Sequence, residues 1–450
     1  MKQAMQNQPN ETAALSRRQF IKSSSLIAAT TAAATSFPGI LHAQSKAPIN
    51  AVVIGMGGRG SGAAGNFMEA ARIVGANAKI VGTADMFPEV AARGTGDPFN
   101  APKDKCFSGF DAYKKVLEIP GVNYAIIATP PGFRPPIFKA CVDAGKNVFM
   151  EKPVATDGTG IRVMYAAAEA AKAKGLKIAA GTQRRHRPSY IETVKRIQGG
   201  EIGDITALRV YWVNNGPIWH RGDQGATDLE RQVRNWYHYI WLCGDHICEQ
   251  HVHDLDIANW IMKDHPIRAW GQGSRQQLGD KSGEIWDNFD VEYEYPNGVR
   301  MFSYCGQIKR SFGSVSEHAI GSSGTADMLD GNNVVKPKGG NAWRARGLFK
   351  NDDGYVNEHV DLINAILNDQ ELNEAKNVID TTMTAILGRE AAYSGMQLEW
   401  DAVRDSKFMY GPADLYENAY KLQFGPFRTL KPPMPSLHDV TKDPAIVAGA

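Results

Sequence analysis

A glycine-rich turn between an apolar segment and an alanine-rich segment constrains the fold of this chain more than any other feature. Residues Ile49 to Ile54 are apolar and rich in β-branched side chains, and Gly55-Met56-Gly57-Gly58-Arg59-Gly60 follows directly. The pattern predicts a strand, a tight turn and a helix. In such a unit the glycines allow the turn, the approach of a pyrophosphate and close helix packing, and the helix N-terminus attracts negative charge. We interpret residues 55–60 as a dinucleotide-binding turn, with a simple connecting turn as the alternative.

The next segments alternate between strand and helix patterns. Strands are predicted at Ala78–Ala84, Tyr124–Ala128, Asn147–Met150 and Leu176–Gly181, with helices near residues 136–144 and 158–174. This alternation predicts a parallel, doubly wound sheet of the Rossmann type, which we assign to residues 44–175.

The pattern changes after residue 176. Longer segments with alternating apolar residues predict strands at Ile205–Val213, Phe289–Tyr295, Val299–Gly306 and His318–Ser322, two of them joined by an Asn297-Gly298 turn. We therefore expect a second α/β domain over residues 176–424, with an open, mostly antiparallel sheet. Helices at Val252–Met262, Glu358–Leu367 and Thr381–Ser394 should cover one face of this sheet. A proline-rich tail, residues 425–450, should wrap the surface or a neighbouring subunit.

Asp85 ends the second predicted strand, 25 residues after Gly60. A carboxylate there can accept hydrogen bonds from the adenosine ribose and would repel a 2′-phosphate, so the sequence favours NAD over NADP. Its alternative role is that of a helix N-cap.

The N-terminus predicts export. Ser16-Arg17-Arg18-Gln19-Phe20 contains paired arginines, and a mildly apolar run leads to Leu41-His42-Ala43, which suits a signal peptidase. Residues 1–43 resemble a twin-arginine signal, which implies the twin-arginine export machinery as a partner and a periplasmic location for the folded protein. An amphipathic or disordered tail is the alternative. The run is too rich in Ala, Ser and Thr for a membrane span, and we expect none in the mature protein.

Charge and cysteine content indicate which kinds of partner and which disulfide bonds to expect. The chain has 50 basic and 48 acidic residues, and without residues 1–43 the counts become 46 and 47. No block of basic charge remains to follow a phosphate backbone, so nucleic acid is not an expected partner. The five cysteines show no CxxC pair and imply no disulfide framework, although a single bridge formed after export remains open.

Four motifs occur in a characteristic order along the chain: the glycine turn, Thr129-Pro130-Pro131, Ala144-Gly145-Lys146 and Glu151-Lys152-Pro153. With the later segments 197–204 and 249–260, this order resembles the Gfo/Idh/MocA (glucose-fructose oxidoreductase, inositol dehydrogenase) family of oxidoreductases. The resemblance covers roughly residues 49–400. It implies that Thr129, Pro130 and Glu151 contact the cofactor, and that the chain is a homo-oligomer.

The resemblance also implies catalytic roles for Lys152, Glu249 and His253. Lys152 would contact the substrate hydroxyl and the nicotinamide ribose, and the other two would lie four residues apart on one helix face. His253 could accept the hydroxyl proton while Lys152 stabilises the developing alkoxide. Two positions depart from the family: Arg134 stands where a histidine is usual, and Glu249 where an aspartate is usual.

Several further residues are candidates for the substrate pocket because aromatic rings and fixed donors suit a polyhydroxylated ligand: Arg184, Arg185, His220, Trp236, Tyr237 and Asp256. Asp256 could instead hold the His253 imidazole or form an ordinary helix salt bridge. His246, His251 and His253 offer a metal site as an alternative, but their spacing matches no zinc signature, and we expect no metal.

Three functions remain open at this point. The leading hypothesis is a periplasmic oxidoreductase that transfers hydride between tightly bound NAD(H) and a secondary hydroxyl of a sugar, cyclitol or glycoside. The second is a glycoside hydrolase or lyase that oxidises its substrate transiently, eliminates the substituent and returns the hydride. The third is a binding protein of the same fold without catalysis.

Overall fold

The computed structural model describes residues 48–214, 221–222, 225–279 and 282–442. The predicted export signal, residues 1–43, and the pocket candidate His220 lie outside the described residues. All five cysteines are free, and four of them are buried. Within the described ranges, no helix has the length and apolar character needed to cross a membrane.

A six-stranded parallel sheet forms the N-terminal half. Its strands are β1 (Ile49–Ile54), β2 (Ala78–Asp85), β3 (Cys106–Ser108), β4 (Tyr124–Ile127), β5 (Asn147–Met150) and β6 (Ile178–Ala180), in the order β3-β2-β1-β4-β5-β6. Every neighbouring pair is parallel. Strands covered on both faces read as continuous apolar runs, which is why β1 and β4 were visible in the sequence. The predicted doubly wound Rossmann sheet is confirmed.

The described residues contain fourteen α-helices. They are α1 (Gly58–Val74), α2 (Pro88–Ala91), α3 (Ala112–Leu117), α4 (Arg134–Asp143), α5 (Gly158–Ala173), α6 (Pro188–Gln198), α7 (Asp228–Arg234), α8 (Ile240–Cys243), α9 (Asp245–Glu249), α10 (Val252–Met262), α11 (Gly354–Leu367), α12 (Ala375–Ser394), α13 (Trp400–Arg404) and α14 (Leu415–Asn418).

A nine-stranded sheet forms the second half. Its strands are β7 (Ile205–Val213), β8 (Arg268–Ser274), β9 (Asn288–Glu294), β10 (Arg300–Gly306), β11 (Ser314–Gly321), β12 (Gly324–Met328), β13 (Val334–Pro337), β14 (Trp343–Arg344) and β15 (Leu398–Glu399), in the order β14-β13-β12-β11-β7-β10-β9-β8-β15. Only the β7–β10 pair is parallel, so the predicted mostly antiparallel sheet is confirmed. The Asn297-Gly298 turn joins β9 and β10, with Gly298 at φ +82°.

The late helices divide between the two sheets. Helix α12 packs on β8 and β9, and α10 packs on β7 and β11, as predicted. Helix α11 instead packs on α1 beside the parallel sheet, where Leu362 and Ile363 join a core that contains Phe67 and Val53. The prediction that α11 covers the antiparallel sheet is therefore wrong. Its apolar face is compatible with either sheet, and the sequence pattern does not say which one it meets.

Candidate active site

The glycine turn connects β1 to α1 at the carboxyl edge of the parallel sheet. Gly55 has φ +95°, and a Cβ there would lie 2.6 Å from the Thr129 nitrogen. Gly57 is the N-cap of α1 and supplies no side-chain cap, so the first amides of the helix are free to bind an anion. A Cβ on Gly57 or Gly58 would meet no atom within 4 Å. The turn therefore presents bare backbone to open space, as a pyrophosphate requires.

Gly60→Ala should destabilise the protein, because an added Cβ would lie 1.7 Å from the backbone oxygen of Gly55. We expect the free energy of unfolding to fall by about 1–3 kcal/mol, as in other overpacked sites, and nucleotide affinity to fall with it. Gly65→Ala is the matched control on the same helix, since its Cβ meets nothing within 4 Å and alanine favours helix by about 1 kcal/mol. Urea unfolding and nucleotide titration measure both effects. Equal stability of Gly60→Ala and the wild type would contradict the tight contact.

Asp85 lies at the end of β2, next to the glycine turn. Its carboxylate accepts the backbone N–H of Met56 at 2.9 Å and that of Phe87 at 3.1 Å. Helix α2 has Phe87 as its N-cap, so Asp85 does not take the alternative N-cap role. Burial raises the pKa of Asp85, and the two N–H donors oppose that rise. Each carboxylate oxygen can still accept a further hydrogen bond, which suits a ribose hydroxyl.

Arg134 holds two loops of the site together. Its guanidinium is buried and donates to the carbonyl of Thr129 at 2.8 Å, to that of Glu151 at 3.0 Å, and to that of Pro153. These carbonyls belong to the loop after β4, which contains Thr129 and Pro130, and to the loop after β5. The sequence showed that Arg134 departs from the family pattern, but it did not predict that this residue joins the two loops. Nothing local identifies three acceptors up to 19 residues away.

Arg59 and Glu151 form an ion pair between the glycine turn and the loop after β5. The Arg59 Nε lies 2.8 Å from Glu151 Oε1, and its guanidinium also stacks 5.0 Å from the ring centre of Tyr355. The Thr129 hydroxyl is buried and, within the described residues, has no hydrogen-bond partner. Charged and unsatisfied polar groups therefore line the edge where a dinucleotide would lie.

Lys152, in the loop after β5, meets Glu249, the last residue of α9. The Lys152 Nζ donates to the Glu249 carbonyl and lies 3.4 Å from Glu249 Oε1. Each residue is only 8% exposed. Burial raises the pKa of Glu249, whereas the positive charges of Lys152 and Arg134 lower it. The other carboxylate oxygen of Glu249 has no partner among the described residues and can accept a substrate hydroxyl.

His253 lies in the first turn of α10 and stacks on Trp212 of β7, with ring centres 5.7 Å apart. Glu249 ends α9, and residues 250 and 251 separate the two helices. The prediction that Glu249 and His253 share one continuous helix is therefore wrong, although both belong to the same short segment. Burial and the positive charges of Lys152, Arg184 and Arg59 hold the pKa of His253 well below its usual range. The imidazole is neutral near pH 7 and can accept a proton.

Three of the six predicted pocket residues form ion pairs within the protein. Arg184 donates to Asp254 at 2.8 Å and to Glu317, and all three are buried. Arg185 donates to both carboxylate oxygens of Asp256, at 3.0 and 2.8 Å. Asp256 thus takes the salt-bridge alternative rather than a contact with the His253 imidazole. The substrate roles of Arg184, Arg185 and Asp256 remain predictions.

Two predicted aromatic residues lie just before α8. Trp236 is half-buried and its ring packs against Tyr237, with centres 5.7 Å apart. Burial raises the pKa of the Tyr237 hydroxyl well above its usual range, and the negative charge of Glu249 adds to this rise. The pocket role of Tyr237 remains a prediction.

The other two histidines of the cluster belong to the core. His251 is buried and bonds through Nε2 to the Ser303 hydroxyl at 2.7 Å. Burial lowers the pKa of His246 and of His251 to about 3, so both are neutral. The described ranges contain no group of three or more His, Cys, Asp or Glu side chains placed to hold a metal.

The fold and this edge of the sheet define an α/β protein with a dinucleotide-type Rossmann domain. Residues 49–179 match the model described as the oxidoreductase family with an NAD-binding Rossmann fold, and residues 190–327 match the GFO/IDH/MocA C-terminal domain. The two models together cover more than half of the chain. The protein belongs to the Gfo/Idh/MocA family.

Relatives with stated activities share parts of this sequence or its fold. The scyllo-inositol 2-dehydrogenase (NAD(+)) of Bacillus subtilis is 30% identical over 166 residues, which are 36% of this chain and 42% of that protein. The chain thus spans less than half the length of this relative. An aldose-aldose oxidoreductase from Caulobacter crescentus, complexed with glycerol, has a TM-score of 0.64 at 16% identity, covering 78% of this chain and 99% of that one. Scyllo-inositol dehydrogenase from Lactobacillus casei, with bound NAD(H) and scyllo-inositol, has a TM-score of 0.61 at 20% identity, covering 79% and 99%.

Proposed function

We propose that this protein is an oxidoreductase that transfers hydride between tightly bound NAD(H) and a secondary hydroxyl of a sugar, cyclitol or glycoside. The observation that carries the proposal is that the Lys152 ammonium lies 3.4 Å from the Glu249 carboxylate and that the charge of the same ammonium acts on a neutral His253. The relatives named above support the substrate class, since their names refer to inositols and aldoses. The family's NAD-binding domain supports the cofactor.

The residues of the site suit NAD. The glycine turn and the free amides of α1 would bind the pyrophosphate, and Asp85 would accept hydrogen bonds from the adenosine ribose. Because a carboxylate repels a 2′-phosphate, Asp85 favours NAD over NADP. When bound, NAD supplies the hydride acceptor for alcohol oxidation.

Three side chains of the protein are assigned to stabilise the alkoxide, accept the proton and orient the substrate. Lys152 is a cationic donor at the position where an alkoxide would develop, and its ammonium is held in place by Glu249. His253 is the proposed acceptor of the hydroxyl proton, since its ring is neutral; the burial and nearby positive charge that keep it neutral also lower its basicity. Glu249 orients the sugar through its unpartnered oxygen.

We further propose that the protein is exported folded, with its cofactor, through the twin-arginine pathway to the periplasm. The paired Arg17 and Arg18, the mildly apolar run and Ala43 support this proposal. A compartment without a pool of free NAD favours a protein that carries its cofactor.

Purified full-length protein should release NAD when denatured, and inositols or aldoses should reduce the bound nucleotide, as measured by nicotinamide absorbance. Glycosides with a chromogenic leaving group test the hydrolytic alternative in the same samples. Aglycone release without net reduction would favour elimination with return of the hydride. A protein with no affinity for NAD or NADP would exclude both.

A further inference from the structure

The C-terminal segment 415–427, which we call the strap, reaches back to the parallel sheet. A pocket opens at the carboxyl ends of β1, β2 and β4, where Asp85 and Thr129 lie, and Ala419 of the strap completes its lining. In a Rossmann fold this edge receives the adenosine half of the dinucleotide. We propose that the strap is a wall of the cofactor site that closes over the adenosine end and retains the nucleotide. This inference rests on the proposed function, since it requires NAD to bind.

Aromatic packing holds the strap against the loops that follow β2 and β3. The Phe424 ring stacks on Phe87, with centres 5.3 Å apart and planes 8° from parallel, and meets Phe110 edge-on at 5.0 Å. The Lys114 ammonium lies 3.1 Å from the ring centre of Tyr420. Phe110 itself lines the pocket. The strap thus contacts both the pocket wall and the helix behind it.

Hydrogen bonds fix both ends of the strap. The Tyr416 hydroxyl donates to Asp157 at 3.0 Å at one end. At the other end the Gly425 carbonyl accepts the Leu229 N–H at 3.2 Å, and Arg428, the residue that follows the strap, donates to the carbonyls of Tyr410 and Gly411 at 2.8 Å. A segment fixed at both ends and packed in the middle must yield before a nucleotide bound beneath it can leave. The strap should therefore slow dissociation.

The rate at which bound NADH leaves the full-length protein tests this inference. Protein loaded with NADH is mixed with excess NAD, and the loss of bound-NADH fluorescence is followed. We expect Phe424→Ala to speed release by about tenfold, because the variant loses two ring contacts. Leu437→Ala is the control, since Leu437 lies on the same C-terminal stretch but is 60% exposed. Release from the control should match the wild type.

Hydrogen exchange on the unmodified protein provides a second test that does not depend on the folding of a variant. Backbone amides of the strap should exchange more slowly with NAD bound than without it. Equal release rates for wild type and Phe424→Ala, or exchange in the strap unaffected by NAD, would overturn the inference. Absence of any nucleotide binding by the wild type would instead overturn the proposed function, so the two failures are distinguishable.

Discussion

Lys152→Ala should lower kcat/KM for polyol oxidation by about 100- to 1,000-fold, the cost of removing one donor from a site of developing negative charge. The effect follows from position, since the Lys152 ammonium lies beside the Glu249 carboxylate and is largely withdrawn from water. A donor in such surroundings is worth more than on the surface, because the low local dielectric strengthens its interaction with an alkoxide. The loss should fall on kcat more than on the affinity for NAD, because the glycine turn and Asp85 are proposed to supply most of the contacts to the nucleotide.

Lys139→Ala is the matched control, because Lys139 forms an exposed i,i+4 pair with Asp143 on α4. That variant should keep wild-type kcat/KM, since exposed pairs contribute little. Steady-state kinetics with an inositol or aldose, together with NAD titration, measures both variants. Wild-type turnover by Lys152→Ala would remove the lysine from the proposed mechanism.

Local patterns predicted several elements of this fold at or near their observed bounds, whereas β3, β8 and β12 to β15 were not among the predicted strands. Strand β1 and helix α10 begin and end at the predicted residues, because an apolar β-branched run and a 3.6-residue period are properties of neighbouring positions. The glycine turn was recognisable for the same reason, as its spacing reflects the packing of one helix on one strand. Family motifs then supplied Lys152, Glu249 and His253, which no local pattern marks as a set.

Features that depend on distant contacts were missed. The roles of Arg134 and of the strap depend on acceptors and rings that the fold brings from elsewhere, such as the Pro153 carbonyl and Phe87. The sequence also did not predict the break between α9 and α10, because residues 249–253 contain neither Gly nor Pro, the residues that usually mark a helix end. Arg184 and Arg185 were chosen by residue type as sugar ligands; the structure pairs both with carboxylates, and their substrate roles stay predictions.

The second substitution with a large expected effect on kcat/KM is at His253. His253→Asn should lower kcat/KM by about 100- to 10,000-fold, the usual contribution of a general base. The variant retains a polar side chain next to Trp212 but cannot take up the hydroxyl proton. His265→Asn is the control, because His265 lies beyond the far end of α10 and stacks on Trp400 instead. Unchanged kcat/KM in His253→Asn would assign the base to another group.

The pH dependence separates this role from a structural one. An exposed imidazole titrates near pH 6.5, but burial and the charges of Lys152, Arg184 and Arg59 lower the pKa of His253 well below that value. A lowered pKa extends the neutral, proton-accepting form to lower pH, so wild-type kcat/KM should not decline between pH 7 and pH 6 through protonation of this ring. The acid limb should appear only at lower pH and be absent from His253→Asn.

Removing a neighbouring positive charge, as in Lys152→Ala, should move the His253 pKa upward, because less repulsion then opposes the imidazolium. A histidine titration followed by NMR in the wild type and in Lys152→Ala would show this shift. An unchanged His253 pKa would mean that the Lys152 charge does not act on the His253 imidazole.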